Sequence, residues 1–186
     1  MVSETTDGPL ASPATRLVDI EHTVTYLEMT DRAEHHRAPR ASTLHVRSVS
    51  GASTEWRETL RRVGERYHWS LTDPLSDDTH GFWLIEAQGE VIGVIAIEPQ
   101  PAGDVEITHL GLLPEAIGQG YGAAALSRAL DLGWDAVAIG DQSVQRVWLH
   151  TSTLDHPHAL RNYEERGLRP FANETRTRRV EVQEQD

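Results

Sequence analysis

The sequence predicts a mixed α/β domain in which helices cover a largely antiparallel sheet. Three observations carry that expectation. Two apolar, β-branched segments are joined by Gln88-Gly89-Glu90 and read as a hairpin. A third strand ends at Pro114 and passes through a glycine cluster into an alanine-rich helical segment. A short apolar strand is then followed by Asp155, Pro157 and Gly167, the punctuation of a capped helix. The chain has 186 residues, close to the length of one domain, and its 38% hydrophobic and 25% charged residues suit a globular core.

Residues 1–17 are rich in Ser, Thr, Pro and Ala and read as a flexible tail, leaving 18–186 as one domain. Residues 22–29 read as a strand, 31–42 as a loop in which His35 and His36 are solvated, and Leu44 to Val49 as a short strand. Over 54–68, Trp56, Leu60, Val63 and Tyr67 share one helical face, with Arg57, Arg61, Arg62 and Glu65 off it. A loop with Asp73, Asp77 and Asp78 follows. Gly81 to Ala87 and Val91 to Ile97 form the hairpin, and Val105 to Leu113 is the next strand. Residues 119–132 are a helix that Ala123, Ala124 and Ala125 allow close to the sheet. Arg146 to His150 is a strand and 156–166 a helix with Asp155 as N-cap and Gly167 as C-cap. Val180 to Val182 ends the fold as a strand.

The charge balance is −12, which argues against a nucleic-acid partner, since phosphate neutralisation needs positive surface. All 17 basic residues are Arg, so lysine Schiff bases and a P-loop lysine are excluded. With no Cys there is no disulfide, thiol nucleophile or cysteine-ligated metal. His156 and His158 stand at a helix start without a third ligand at useful spacing, so no metal site is expected. The N-terminus lacks the basic-then-apolar pattern of a leader, and apolar runs are short of a membrane span; a cytoplasmic protein is expected.

The segment Pro114-Glu115-Ala116-Ile117-Gly118-Gln119-Gly120-Tyr121-Gly122 is the sharpest local feature. Glycines before a helix let backbone N–H groups converge on an anion, most often phosphate. A Walker loop is excluded by the missing Gly-Lys-Ser/Thr. A dinucleotide loop fits poorly: the spacing is G-x-G-x-G, Pro114 to Ile117 intervene after the strand, and Asp141 sits in a loop. An acyl-coenzyme A pyrophosphate site is the third option, and a plain loop and helix start the bland alternative.

Leu110-Gly111-Leu112-Leu113-Pro114 followed by Gly118-Gln119-Gly120-Tyr121-Gly122 resembles the central motif of the GCN5-related N-acetyltransferase (GNAT) superfamily. Arg146 to Thr151, then Ala159, Tyr163, Gly167 and Leu168, resemble its Ala-x-x-x-Tyr-x-x-x-Gly-Phe block. Thr151 to Pro157 is similar to a subgroup of bacterial members whose substrates are largely unassigned. The resemblance spans residues 54–172. It implies a sheet splayed between the fourth and fifth strands, acetyl-CoA as cofactor and a small-molecule or peptide amine as acceptor, with homodimers common in the family. Ile117 replaces the usual Gln or Arg, His156 a common Asn, and Leu168 a common Phe.

The resemblance also implies roles. Amides around Ile117, Gly118, Gln119, Gly120, Tyr121 and Gly122 hold the pyrophosphate, Leu110 and Leu112 pair with the pantetheine arm, and His156 lies near the coenzyme. The Leu112 amide faces the carbonyl oxygen. Gly111 suits the β-bulge that family members carry there. Tyr163 protonates the leaving thiolate and Glu106, eleven residues before Ile117, takes the amine proton as in the histone-acetylating branch. His109 is the runner-up base, although strand alternation puts Val105, Ile107 and His109 on one face and Glu106, Thr108 and Leu110 on the other. Tyr67 and Trp69 line the acceptor pocket, while Trp56 and Trp83 are core. Arg128 or Arg161 supplies the local positive charge for the coenzyme. The alternative is a non-catalytic acyl-CoA-binding or interaction domain, in which Tyr163 is structural and Glu106 idle.

Overall fold

The computed structural model describes residues 15–69, 81–137 and 143–183. In chain order the elements are β1 (Thr15–Met29), β2 (His45–Val49), α1 (Thr54–Glu65), β3 (Gly81–Ala87), β4 (Glu90–Pro99), β5 (Asp104–Leu112), α2 (Gly122–Trp134), β6 (Arg146–Ser152), α3 (Ala159–Glu165) and β7 (Arg169–Gln183). The strands form one sheet in the order β2-β3-β4-β5-β6-β1-β7. Neighbours are antiparallel except β5 and β6, whose parallel pairing the α2 crossover makes possible. The hairpin expected from the sequence is β3–β4. Gln88 and Gly89 both take positive φ (54° and 84°), the signs of a type I′ turn.

Apolar side chains fill both faces of the sheet. One face packs Ile85, Ile95, Ile97, Val105 and Val147 against Ala125, Leu126, Ala129 and Leu130 of α2. Small residues bring α2 close: a Cβ at Gly133 would stand 3.0 Å from Val147. The other face packs Phe82, Leu84, Val94 and Ala96 against Trp56, Leu60 and Val63, the predicted stripe of α1. Ser53 caps α1 by accepting from the Trp56 amide (3.4 Å). The helix stops at Glu65, short of residue 68, because His68 turns left-handed (φ 54°). The amides of Tyr67 and Trp69 then both donate to the Gly64 carbonyl, which turns the two rings toward the sheet's open end.

The terminal segments depart most from the sequence expectation. β1 begins at Thr15, within the segment read as a tail, and lies between β6 and β7. β7 starts at Arg169 rather than at 180 and pairs with β1 along its length. Residues 169–179 carry Arg169, Glu174, Arg176, Arg178 and Arg179, so an edge strand polar on both faces lacks the apolar alternation that marks a half-buried one. Residues 1–14 and the Asp73, Asp77 and Asp78 segment lie outside the described residues.

His35 is not solvated. Its side chain is 7% exposed, with Nε2 3.2 Å from Ser127 Oγ and Nδ1 3.7 Å from Asp131. The Ala38 amide donates to the same Ser127 hydroxyl (2.9 Å), and Arg37 pairs with Asp131 (2.8 Å), so the 31–41 segment is clipped to α2. Burial holds the His35 imidazole below its ordinary pKa; Asp131 opposes this, while Arg37, Arg166 and Arg32 reinforce it. A lowered His pKa contributes stability present above the unfolded value of about 6.5 and lost as pH falls toward the folded value. Unfolding free energy is therefore expected to decline as pH drops below about 6.5. His35→Gln is expected to flatten that decline, as urea titrations across the range would register.

Candidate active site

The opening between β5 and β6 is made by a bulge. Ile107 pairs with Ile97 and His109 with Ala96, so Thr108 has no opposite residue on β4. The bulge is thus at Thr108 and not at Gly111, which instead lets α1 approach: a Cβ on Gly111 would collide with Val63. The parallel pairing with β6 runs only from Asp104↔Arg146 to Glu106↔Trp148. Past that point the strands part; they are the fourth and fifth counted from β2. The extra residue also shifts the alternation. Ile107 and Leu110 both meet the α2-side core, against simple alternation, and Glu106 through Leu110 all border the cavity on the Glu106 side.

Two cavities meet at this opening, one of about 590 Å³ beside the glycine loop and one of about 330 Å³ on the Glu106 side. Tyr67, Leu110, His156, Ala159 and Tyr163 line both. Tyr163 is partly buried, and burial pushes its phenol well above the ordinary tyrosine value, with Asp155 and Tyr67 adding in the same direction. Burial, then His158 and Arg66, hold the His156 imidazole below its ordinary pKa.

The larger cavity is walled by Leu110, Gly111, Leu112, Ile117, Gly118, Gly120 and Gly122, with Ala123, His158 and Asn162. Gly118 and Gly120 take φ of 81° and 80°, the left-handed region that glycine tolerates. A Cβ at Gly118 or Gly122 would meet only open space. Tyr121 stands at the N-cap of α2 without a side-chain cap. Among the described residues, nothing accepts from the amides of Gly118, Gly120, Gly122 or Ala123. Free amides at a helix N-terminus, backed by its dipole, suit an anionic phosphate.

Other side chains of the loop turn away. Gln119 Nε2 donates to the Glu115 carbonyl (2.6 Å), and the Tyr121 ring is buried in the core. Neither side chain lines the cavity, so any contribution from these two positions is through the main chain. Arg128 and Arg161 are spoken for by carboxylates, at 3.7 Å from Asp131 and 2.8 Å from Glu165. Arg40 lies against the glycine loop instead. Its guanidinium lies 5.3 Å over the Tyr121 ring and donates to the Gln119 carbonyl (3.4 Å), with no carboxylate partner among the described residues.

At the smaller cavity, Gln100 Nε2 donates to Glu106 Oε2 (2.9 Å) and is itself oriented by the Trp148 indole (3.2 Å). His150 Nδ1 stands 3.5 Å from Glu106 Oε1. The His109 ring lies edge-on to Trp69, with centroids 5.5 Å apart. Asp155 is not the N-cap of α3, which starts three residues later than expected with His158 in that place. Its carboxylate accepts from Thr151 Oγ1 (2.9 Å), the Ser152 amide (2.8 Å) and the Trp69 indole (3.2 Å). Asp155 thereby fixes Trp69, and Gly64 leaves room for it: a Cβ there would stand 2.9 Å from Trp69 Cβ.

Residues 30–168 match the model of the Acetyltransferase (GNAT) family. The chain belongs to that family. The matched span begins just after β1 and ends just before β7, so all of β1 and β7 lie outside it. Solved structures of the same fold include a GCN5-related N-acetyltransferase from Kribbella flavida (19% identity, 89% of this chain and 58% of that one, TM-score 0.59). A putative GNAT acetyltransferase from Novosphingobium aromaticivorans is similar (14% identity, 93% and 69%, TM-score 0.57). So is a GCN5-related N-acetyltransferase from Sphaerobacter thermophilus (15% identity, 88% and 52%, TM-score 0.58). The chain spans about half to two thirds of the length of these structures. No functionally curated protein matches the sequence significantly.

For a GNAT chain, the geometry brings Tyr163, Glu106, His109, Tyr67, Trp69 and His156 to one opening. Sequence reasoning missed Arg40, Asn162, His150, Gln100 and the role of Asp155. Only Asn162 carried a usable signal, standing on α3 one residue before Tyr163. Trp56 and Phe82 stack edge-on in the core (4.8 Å), as expected of Trp56. Among the described residues no cluster of potential ligands suits a metal ion, and no helix is long and apolar enough to cross a membrane.

Proposed function

We propose that this chain is an acetyl-CoA-dependent N-acetyltransferase that binds coenzyme and amine together and lets the amine attack directly. The observation that carries the reading is the pair of cavities joined at Tyr163, one edged with free amides and the other with a carboxylate. Acetyl-CoA would supply the activated acyl thioester. The amides of Gly118, Gly120, Gly122 and Ala123 would hold its pyrophosphate, with Arg40 adding the positive charge that a chain of net charge −12 otherwise lacks. The β5 edge at Leu110 and Leu112 has lost β6 as a partner and would receive the pantetheine arm as a strand, with the Leu112 amide toward the carbonyl oxygen.

Tyr163 Oη carries the proton for the departing sulfur; its raised pKa keeps it protonated throughout the neutral range. Glu106 Oε1 faces His150, and this pair would take the proton from the amine. Tyr67 and Trp69 exclude water from the junction and position the acceptor.

Calorimetric titration with acetyl-CoA, with NAD as control, tests the coenzyme. Saturable binding of acetyl-CoA alone is expected; binding of neither, or of NAD instead, would sink the reading. Arg40→Gln is expected to weaken acetyl-CoA about three- to tenfold, an effect that shrinks with added salt because the guanidinium is exposed.

A further inference from the structure

We propose that Arg178 anchors a carboxylate on the acceptor, so that the amine acetylated by this chain belongs to a small amino carboxylate. The inference rests on the acetyl-transfer reading and names the substrate class of that same site.

Arg178 lines the smaller cavity from β7. Its Nη1 donates to the carbonyls of His68 (3.1 Å) and Tyr67 (3.4 Å), at the left-handed turn that ends α1. No carboxylate among the described residues pairs with it. The two carbonyls fix the guanidinium through one nitrogen, and among the described residues Nη2 and Nε have no acceptor.

Its neighbours on the strand are already neutralised. Arg176 donates to Glu174 (2.7 Å) and to the Tyr26 hydroxyl (2.7 Å). Arg179 points to the other face and grips Asp19 with two bonds (2.8 and 3.1 Å). Among the described residues, Arg178 is thus the one cation of this three-arginine stretch that faces the cavity without a carboxylate partner.

The cavity's two carboxylates are placed differently. Asp155 has both oxygens occupied by Trp69, Thr151 and Ser152. Glu106 keeps Oε1 toward His150. The cavity is therefore lined by a carboxylate from β5 and a guanidinium from β7. A carboxylate carries one charge and two oxygens, which match one guanidinium. At about 330 Å³ the space is at the small end of ligand cavities, which favours a molecule of amino-acid size.

The experiment measures acetyl-CoA-dependent acetylation of amines paired with and without a carboxylate: β-alanine against ethylamine, γ-aminobutyrate against propylamine, lysine against cadaverine. In at least one pair the carboxylate is expected to raise kcat/KM about tenfold or more, the range of a hydrogen-bonded charge. Arg178→Gln is expected to bring that ratio close to one, Arg178→Lys to retain part of it, and Arg179→Gln to leave it intact. Melting curves identify any variant that fails to fold, and the lysine variant then carries the comparison. Equal or poorer use of the carboxylate partners, a preference that survives Arg178→Gln, or turnover of none of them with acetyl-CoA bound would each overturn the proposal. Failure to bind acetyl-CoA would overturn the coenzyme reading beneath it, and calorimetry separates that result from the others.

Discussion

Replacing Tyr163 with Phe is expected to lower kcat about 100- to 1000-fold while the affinity for acetyl-CoA changes by less than about twofold. The ring lines both cavities, so Phe preserves the wall and removes only the phenolic proton. Desolvation raises the Tyr163 pKa, which makes it a weaker acid than a free tyrosine. The same desolvation disfavours a thiolate beside it, so proton transfer between the two stays near balance. The sign also fixes the pH profile. Because the folded pKa lies above the ordinary value of about 10, Tyr163 contributes no falling limb to kcat below that pH. Rapid-mixing or steady-state assays across pH 6 to 10, with calorimetry on the same variant, check both halves. Unchanged turnover in Tyr163→Phe would favour the non-catalytic coenzyme-binding alternative.

Features that reside in local sequence were legible, and those that depend on distant partners were not. The Gln88-Gly89 hairpin, the α1 stripe and the Ala159–Tyr163 spacing are all written within a dozen residues. The free amides at the start of α2 follow from the glycine spacing alone. By contrast, Thr108 is an ordinary strand residue; its bulge exists because of how β5 meets β4, and it breaks the alternation between Ile107 and Leu110. Arg40 reaches the loop from 79 positions away in sequence and Trp69 finds Asp155 across 86, so neither pairing leaves a local pattern. Asp155 looked like a helix cap because Asp is a favoured N-cap and Pro157 suits a first helical turn; three donors around β6 and Trp69 claim its carboxylate instead. His35 looked solvated among arginines, and only the Ser127 hydroxyl and Asp131 on α2 make its burial affordable.

Glu106→Gln is expected to reduce kcat about 100-fold or more with little change in acetyl-CoA binding. The substitution is isosteric. A carbonyl oxygen at the Oε2 position still accepts from Gln100, so the Trp148–Gln100 chain that orients the side chain persists. What disappears is the negative charge that faces His150 and the capacity to accept a proton. If Glu106 takes the amine proton, the loss falls on turnover and is partly recovered at high pH, where more of the acceptor is already unprotonated. If His150 or His109 is the base and Glu106 only positions it, His150→Gln or His109→Gln should instead show the larger loss. In that case Glu106→Gln should show the smaller loss. The three variants measured side by side on one amine across pH therefore assign the base. A loss confined to KM in all three would remove acid–base chemistry from this cavity altogether.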